Sequence, residues 1–207
     1  MNILFFSVHS DDLNPEIPKY QKLVFEKFNL EIFQSVFQSV EDNYRQHGRQ
    51  IDHVLRTTKY DYYVIFDVDC VPLNINFYKR LVDNIQKDIL CGAIGCANHI
   101  DQNRLYVHPC FMGFSRNLYE RCGSPDFEHS NIPPHYGDTG QLFSDKCDLK
   151  YYWNVTSNDD DKWDLKPLNT KFGHGTIYEN EIYHRFQIAE PIQQQYFIDK
   201  CKSILHN

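Results

Sequence analysis

Apolar positions in the first third of the chain switch repeatedly between unbroken runs and helical spacing. "NILFFSV" (2–8) is an uninterrupted apolar stretch, the pattern of a strand covered on both faces in a parallel sheet. Tyr20, Leu23, Val24 and Phe28 then recur at helical spacing around Pro18, whose missing N–H is harmless in a first helical turn. "LEIFQSV" (30–36) alternates loosely and predicts a second strand. In "HGRQIDHVLRTTK" (47–59) Ile51, Val54 and Leu55 share one face, which predicts a second helix. It leads into "YYVIFDVD" (62–69), the clearest strand of the chain. Residues 1–69 therefore read β-α-β-α-β, the order of a parallel sheet with covering helices.

The pattern continues less regularly. A helix over 76–88 has Phe77, Leu81, Val82 and Ile85 on its apolar face. "CGAIGCA" (91–97) and "YVHPCFMGFS" (106–115) predict strands, and a short helix starts near Arg116. "GDTGQLFSDKC" (137–147) opens a helix, "KYYWNVT" (150–156) is strand-like and "SNDDDKWD" (157–164) predicts a loop. "GTIYENEIYHRF" (175–186) is extended, and "IQQQYFIDKCKSIL" (192–205) closes as an amphipathic helix. No repeat or linker interrupts the series, so one α/β domain over 1–207 is expected.

Composition narrows the class. A chain of 207 residues buries about 70% of its unfolded surface and needs no staples. The 15 Phe and 14 Tyr fit a packed core. A net charge of −7 argues against binding to a nucleic-acid backbone, which takes clustered Lys and Arg. Seven scattered cysteines without a C-x-x-C pair fit free thiols in a reducing compartment. "MNILFFSVHSDD" lacks a basic n-region, and no stretch reaches the roughly 18–20 apolar residues of a membrane helix. A soluble, cytoplasmic protein without a membrane span is expected, with the sequon at Asn154 a chance match.

The chemistry centres on "YVIFDVDCVPL", which carries two acids, Asp67 and Asp69, at the end of a segment built to be buried. In an extended strand, residues two apart point to the same side, so both carboxylates can converge while Val68 faces away. Like charges that close repel unless a proton or cation sits between them, and Mg²⁺ or Mn²⁺ is the natural neutraliser. The plainer reading is a strand-end turn whose acids face water. Ligands of parallel sheets collect at the carboxyl ends of the strands, where His9, Ser10, Asp67 and Asp69 all lie.

Two enzyme families use this device. "DVDCV" satisfies the nucleophile motif of the haloacid-dehalogenase-like phosphatases, in which Asp67 would be the nucleophile. That motif belongs on the first strand of its domain, however, and the late acidic motif fails at "GDTGQL", where Leu142 replaces the second acid. The chain resembles the metal-dependent GT-A glycosyltransferases in compact form over roughly residues 2–186. The likeness is carried by "NILFFSVHS", "YVIFDVDCVPL", "HPCFMGFSRNLY", "GDTG" and "EIYHRF".

That resemblance implies a Rossmann-related, mixed but mostly parallel sheet flanked by helices. A nucleotide-binding half would span about 1–75, an acceptor and metal-completing half about 90–190, and a C-terminal helix about 191–205. It implies transfer of a sugar from a nucleotide-diphosphate sugar, such as a UDP- or GDP-hexose, to an unknown acceptor. Asp67 and Asp69 would hold Mn²⁺ or Mg²⁺, with His184 or His174 as the third ligand and His184 preferred. His9, Arg49 and Val68 are the expected donor-binding positions, with Ser7 and Asp52 as further contacts. Asp138 is either the general base for the acceptor hydroxyl or a helix N-cap. The acidic run "NDDDKWD" (158–164) is either a second cation site or a solvated loop, and Trp163 within it is a face on which a sugar could stack. A nucleotide-sugar-binding module without turnover is the remaining alternative.

Overall fold

Strand β1 (Ile3–Ser10) occupies the middle of the sheet that the opening pattern calls for. Helix α1 (Glu16–Lys27), β2 (Ile32–Phe37), helix α2 (Asn43–Thr57) and β3 (Tyr62–Phe66) follow, and β2, β1 and β3 stand side by side in parallel. The computed structural model of the protein describes residues 1–39, 43–97, 100–101, 103–128 and 137–207.

After β4 (Cys70–Pro72) and α3 (Asn76–Ile85), the chain adds β5 (Leu90–Cys96) and β6 (Leu105–Ser115), then α4 (Arg116–Arg121), α5 (Gln141–Lys146) and β7 (Lys150–Trp153). The six-stranded sheet has the order β2-β1-β3-β6-β5-β7. Only β6 runs against its neighbours β3 and β5, so the sheet is mixed and mostly parallel, in an α/β fold with helices on both faces.

Consecutive residues of a strand face opposite sides, and both sides are covered. Leu4, Phe6 and Val8 of β1 and Tyr63 and Ile65 of β3 pack with Ile51, Val54 and Leu55 of α2 and Phe143 of α5. Phe5, Val64 and Phe66 point the other way, against Phe25 of α1 and Phe77, Leu81 and Ile85 of α3. This explains the unbroken apolar runs: neither face meets water.

A second sheet forms from distant pieces. Its order is β4-β12-β11-β8, from β8 (Val155–Ser157), β11 (Thr176–Tyr178) and β12 (Ile182–His184). The expected single strand over 150–156 is broken at Asn154, so that β7 serves the main sheet and β8 the second. The extended segment 175–186 is a hairpin with a three-residue connection, 179–181, in which Glu179 and Asn180 have positive φ and the Glu181 N–H donates to the Tyr178 carbonyl at 2.9 Å. The expected loop over 157–164 runs into β9 (Trp163–Leu165), which pairs with β10 (Thr170–Phe172). Helix α6 (Pro191–His206) packs on α1, with Ile17 and Val24 meeting Phe197, Ile198, Cys201 and Ile204. This contact turns α1 about its axis relative to the sequence expectation: Ile17, Gln21, Val24 and Phe25 are buried and Leu23 faces out. Among the described residues no helix is long and apolar enough to cross a membrane.

One glycine is required by close approach. At Gly92, φ is +155°, and a Cβ would stand 2.0 Å from the Phe111 carbonyl oxygen across a bulge between β5 and β6. Backbone cannot rotate out of the way. Gly92→Ala is therefore expected to lower stability by about 1–3 kcal/mol, read as a lower denaturant midpoint at unchanged slope. An unmoved midpoint would contradict this packing.

Candidate functional site

The two acids do not lie in an extended strand. β3 stops at Phe66, and the Cys70 N–H donates to the Asp67 carbonyl at 2.9 Å, so 67–70 is a tight turn. The convergence argued from strand alternation arises instead from this reversal. The turn is held from beneath: the Asp67 N–H donates to the Cys110 carbonyl of β6, and buried Gln21 of α1 donates from Nε2 to the carbonyls of Asp67 (2.7 Å) and Cys70 (3.1 Å). Val68 turns its side chain into the α1–α6 cluster. β4 pairs antiparallel with β12, setting Cys70 opposite His184, and the Arg185 N–H donates to the Asp69 carbonyl at 3.0 Å. That register delivers His184 to the acids.

His184 Nε2 is 3.3 Å from Asp69 Oδ1 and 3.6 Å from Asp67 Oδ2. One ligand atom from each of the three residues lies within 4.8 Å of the others. Such separations exceed good hydrogen bonds. Atoms sharing one cation at about 2.1 Å stand roughly 3.0–3.4 Å apart; the Asp69 contact falls in that range and the Asp67 contact lies slightly outside it. Asp67 Oδ1 is buried and makes no hydrogen bond; His47 Nε2 stands 3.4 Å from it. The three residues could therefore hold a metal ion.

Burial pushes the Asp67 carboxyl above its ordinary value, and Asp69 adds to this, while His47 and His184 pull it down. Burial pulls His184 down, but Cys110 and Asp69 beside it raise it well above an ordinary imidazole. Both shifts run the same way: Asp67 and His184 bind protons more tightly here than they would in water.

Two clefts flank the triad. One, of about 380 Å³, has Val8, His9, Asp12, Phe37, His47, Asp67 and Asp69 among its walls. The other, of about 450 Å³, is lined by Tyr106, His108, Asp138, Trp163, Phe172 and Phe186. His108 and Phe186 also pack on the His184 ring, with centroids 6.0 and 3.9 Å away.

The structure sorts the remaining expectations. His9 faces the first cleft, its Nδ1 2.9 Å from the Ser10 carbonyl, and Val68 lines it at the turn. Ser7 is buried and donates to Gln21 Oε1, so it does not face a ligand. Arg49 is turned to Glu128, at 3.0 and 3.2 Å, rather than into the cleft. Asp52 accepts the Phe127 N–H with both oxygens. His174 is tied to Asp160 (2.7 Å) and Gln187 (2.8 Å) by its two ring nitrogens, so it is His184 that reaches the acids. The acidic run is an exposed loop that is also fastened: Asp159 pairs with buried Arg185, and Asp160 with His174.

Asp138 does not cap α5, whose N-cap is Gly140. Its Oδ2 accepts from Tyr106 at 3.0 Å and its Oδ1 from the Thr139 N–H at 2.8 Å. Sequence reasoning missed Gln21 and His47: a glutamine in an amphipathic helix reads as surface, and nothing local ties His47 to Asp67.

No protein-family model matches the chain, and no curated protein does. Among solved structures, the chain is similar to a STIV protein, with 17% identity and a TM-score of 0.43 over 70% of this chain and 78% of that one. It is also similar to a glycosyltransferase involved in glycosylation of the major capsid of PBCV-1, with 12% identity and a TM-score of 0.40 over 65% and 68%. A Bacillus anthracis protein described as a glucose-1-phosphate thymidylyltransferase gives 9% identity and a TM-score of 0.46 over 97% and 95%. Likenesses this distant carry no functional weight.

Burial pushes the Asp52 carboxyl from an ordinary 3.8 up to about 7. Because the fold holds this proton more tightly than the unfolded chain, stability contributed by the neutral acid is lost as pH rises from 3.8 to about 7. Asp52→Asn keeps an acceptor for the Phe127 N–H without the charge. Denaturant midpoints measured across that range are expected to fall less steeply in the variant, which becomes the more stable of the two above pH 7. Identical pH slopes would contradict the assignment.

Proposed function

We propose that the protein is a divalent-cation-dependent glycosyltransferase that moves a sugar from a nucleotide-diphosphate sugar to an acceptor hydroxyl. The observation that carries this reading is the placement of Asp67, Asp69 and His184 at the joint of two clefts. Asp67 and Asp69 line the first, and the His184 ring backs onto residues of the second.

In this reading the nucleotide lies in the first cleft, with its phosphates toward Asp67, Asp69 and His184. A cation bound there, Mn²⁺ or Mg²⁺, would supply Lewis-acid stabilisation of the charge on the departing diphosphate. An imidazole in the ligand set favours Mn²⁺ over Mg²⁺.

The acceptor lies in the second cleft, where Asp138 is the base. Hydrogen bonds from Tyr106 and the Thr139 N–H orient its carboxylate. It takes the proton from the acceptor hydroxyl as that oxygen bonds to the anomeric carbon and the bond to the diphosphate breaks. Attack opposite the leaving group inverts the anomeric centre. The aromatic side chains Trp163, Phe172 and Phe186 give this cleft flat apolar walls suited to a sugar face. A phosphatase would need Asp67 as a free nucleophile, but its two oxygens face His47 and His184.

The test is turnover of a panel of nucleotide-sugars with and without Mn²⁺. Transfer or donor hydrolysis is expected only with the cation, and to be abolished in Asp67→Ala and Asp69→Ala. Asp138→Asn is expected to lower kcat by about 10²–10⁴-fold with little change in donor KM. Undiminished turnover in chelator would remove the cation from the reading. Full kcat in Asp138→Asn would remove the base, and cation-dependent binding without any turnover would leave a binding module.

A further inference from the structure

The first cleft has a direction set by the sheet. β2, β1 and β3 end along it in that order, with neighbouring strands roughly 4.8 Å apart. It therefore runs across roughly 10 Å, from Phe37 at the end of β2, past His9 and Ser10 of β1, to Asp67 and Asp69 after β3. A nucleotide whose phosphates sit at Asp67 and Asp69 lays its ribose over the end of β1. Its base then reaches the β2 end, where the walls are Phe37, Leu13 and Asp12.

Among the described residues, no Lys or Arg lines this cleft, and Asp12 is the charged group away from the cation end. Its carboxylate is exposed but not loose. Oδ2 accepts from the Ser39 hydroxyl at 2.9 Å, and the Ser39 N–H donates to Asp11 Oδ1 at 2.9 Å, which fastens the end of β1 to the segment after β2. Hydrogen bonds from Ser10 and Ser39 hold the acid below its ordinary value, so it is an acceptor only.

We propose that Asp12 reads the edge of the base and makes this cleft select a guanine nucleotide, so that the donor is a GDP-sugar. The inference rests on the cation-site reading above. Guanine carries its ring N1–H and its exocyclic N2 amino group side by side, and together they can donate to the two oxygens of one carboxylate. Uracil and thymine offer a single N3–H between two carbonyl oxygens, which would face the negative charge. Adenine and cytosine have no ring N–H on that edge. The larger purine also covers more of Phe37 and Leu13.

Calorimetry on the full chain with saturating Mn²⁺ tests this with GDP, IDP, UDP, ADP and inorganic pyrophosphate. IDP is GDP without the N2 amino group. A hydrogen bond to a charged acceptor at an exposed site predicts GDP binding about tenfold tighter than IDP, and tighter than UDP or ADP. In Asp12→Asn the GDP-to-IDP ratio is expected to collapse toward one. UDP binding as tightly as GDP, or an unchanged ratio in the variant, would overturn the inference. Pyrophosphate has no base and reports on the cation end alone. If it binds the wild-type chain with Mn²⁺ while the bases are not distinguished, the guanine assignment falls and the cation site stands. If pyrophosphate fails to bind with Mn²⁺, both fall.

Discussion

Two carboxylates held side by side where water is scarce need positive charge between them, and the geometry around Asp67 and Asp69 follows from that need. Packing alone would not hold such a pair together, because each raises the cost of ionising the other. The structure spends many directed contacts on keeping them in place: the Gln21 amide, the Cys110 carbonyl and the Arg185 N–H all fix the backbone of the turn. His47 and His184 stand on either side of Asp67. A surface turn would need none of this. The arrangement has the character of a preorganised site that could hold a cation.

The antiparallel pairing of β4 with β12 connects that turn to the rest of the molecule. It brings in His184, and the next residue, Arg185, reaches the acidic loop at Asp159 while donating its N–H to Asp69. Asp160, His174 and Gln187 extend the fastening. The loop leading to Trp163 is thereby tied to the strand that carries His184. The aromatic cleft and the acidic turn share one framework, which is what a reaction joining ligands from two sides requires.

Much of this was legible in the sequence where the signal is local. The run 2–8 announced a strand covered on both faces and the run 62–69 a second strand, which the fold ends at Phe66; Phe5 with Val64 on one side and Phe6 with Ile65 on the other account for them. Asp67 and Asp69 stood out because charge directly after four apolar residues is costly unless used. What was not legible depended on pairings across long stretches of chain. The register that sets His184 against Cys70 is visible only in the folded sheet, as is the helix packing that turns Leu23 outward and Gln21 inward. Arg49 read as a ligand contact because Glu128, which holds it, is distant in sequence. His174, between two glycines, read as an alternative third ligand; its ring nitrogens instead brace a loop.

The most direct measurement is anomalous diffraction at the manganese edge from crystals soaked with Mn²⁺ and a nucleoside diphosphate. The account predicts a peak within bonding distance of a carboxylate oxygen from each of Asp67 and Asp69 and of His184 Nε2, with phosphate oxygens completing the shell from the side of the first cleft. Density showing the three side chains bonded only to one another, with manganese absent or bound elsewhere, would contradict it.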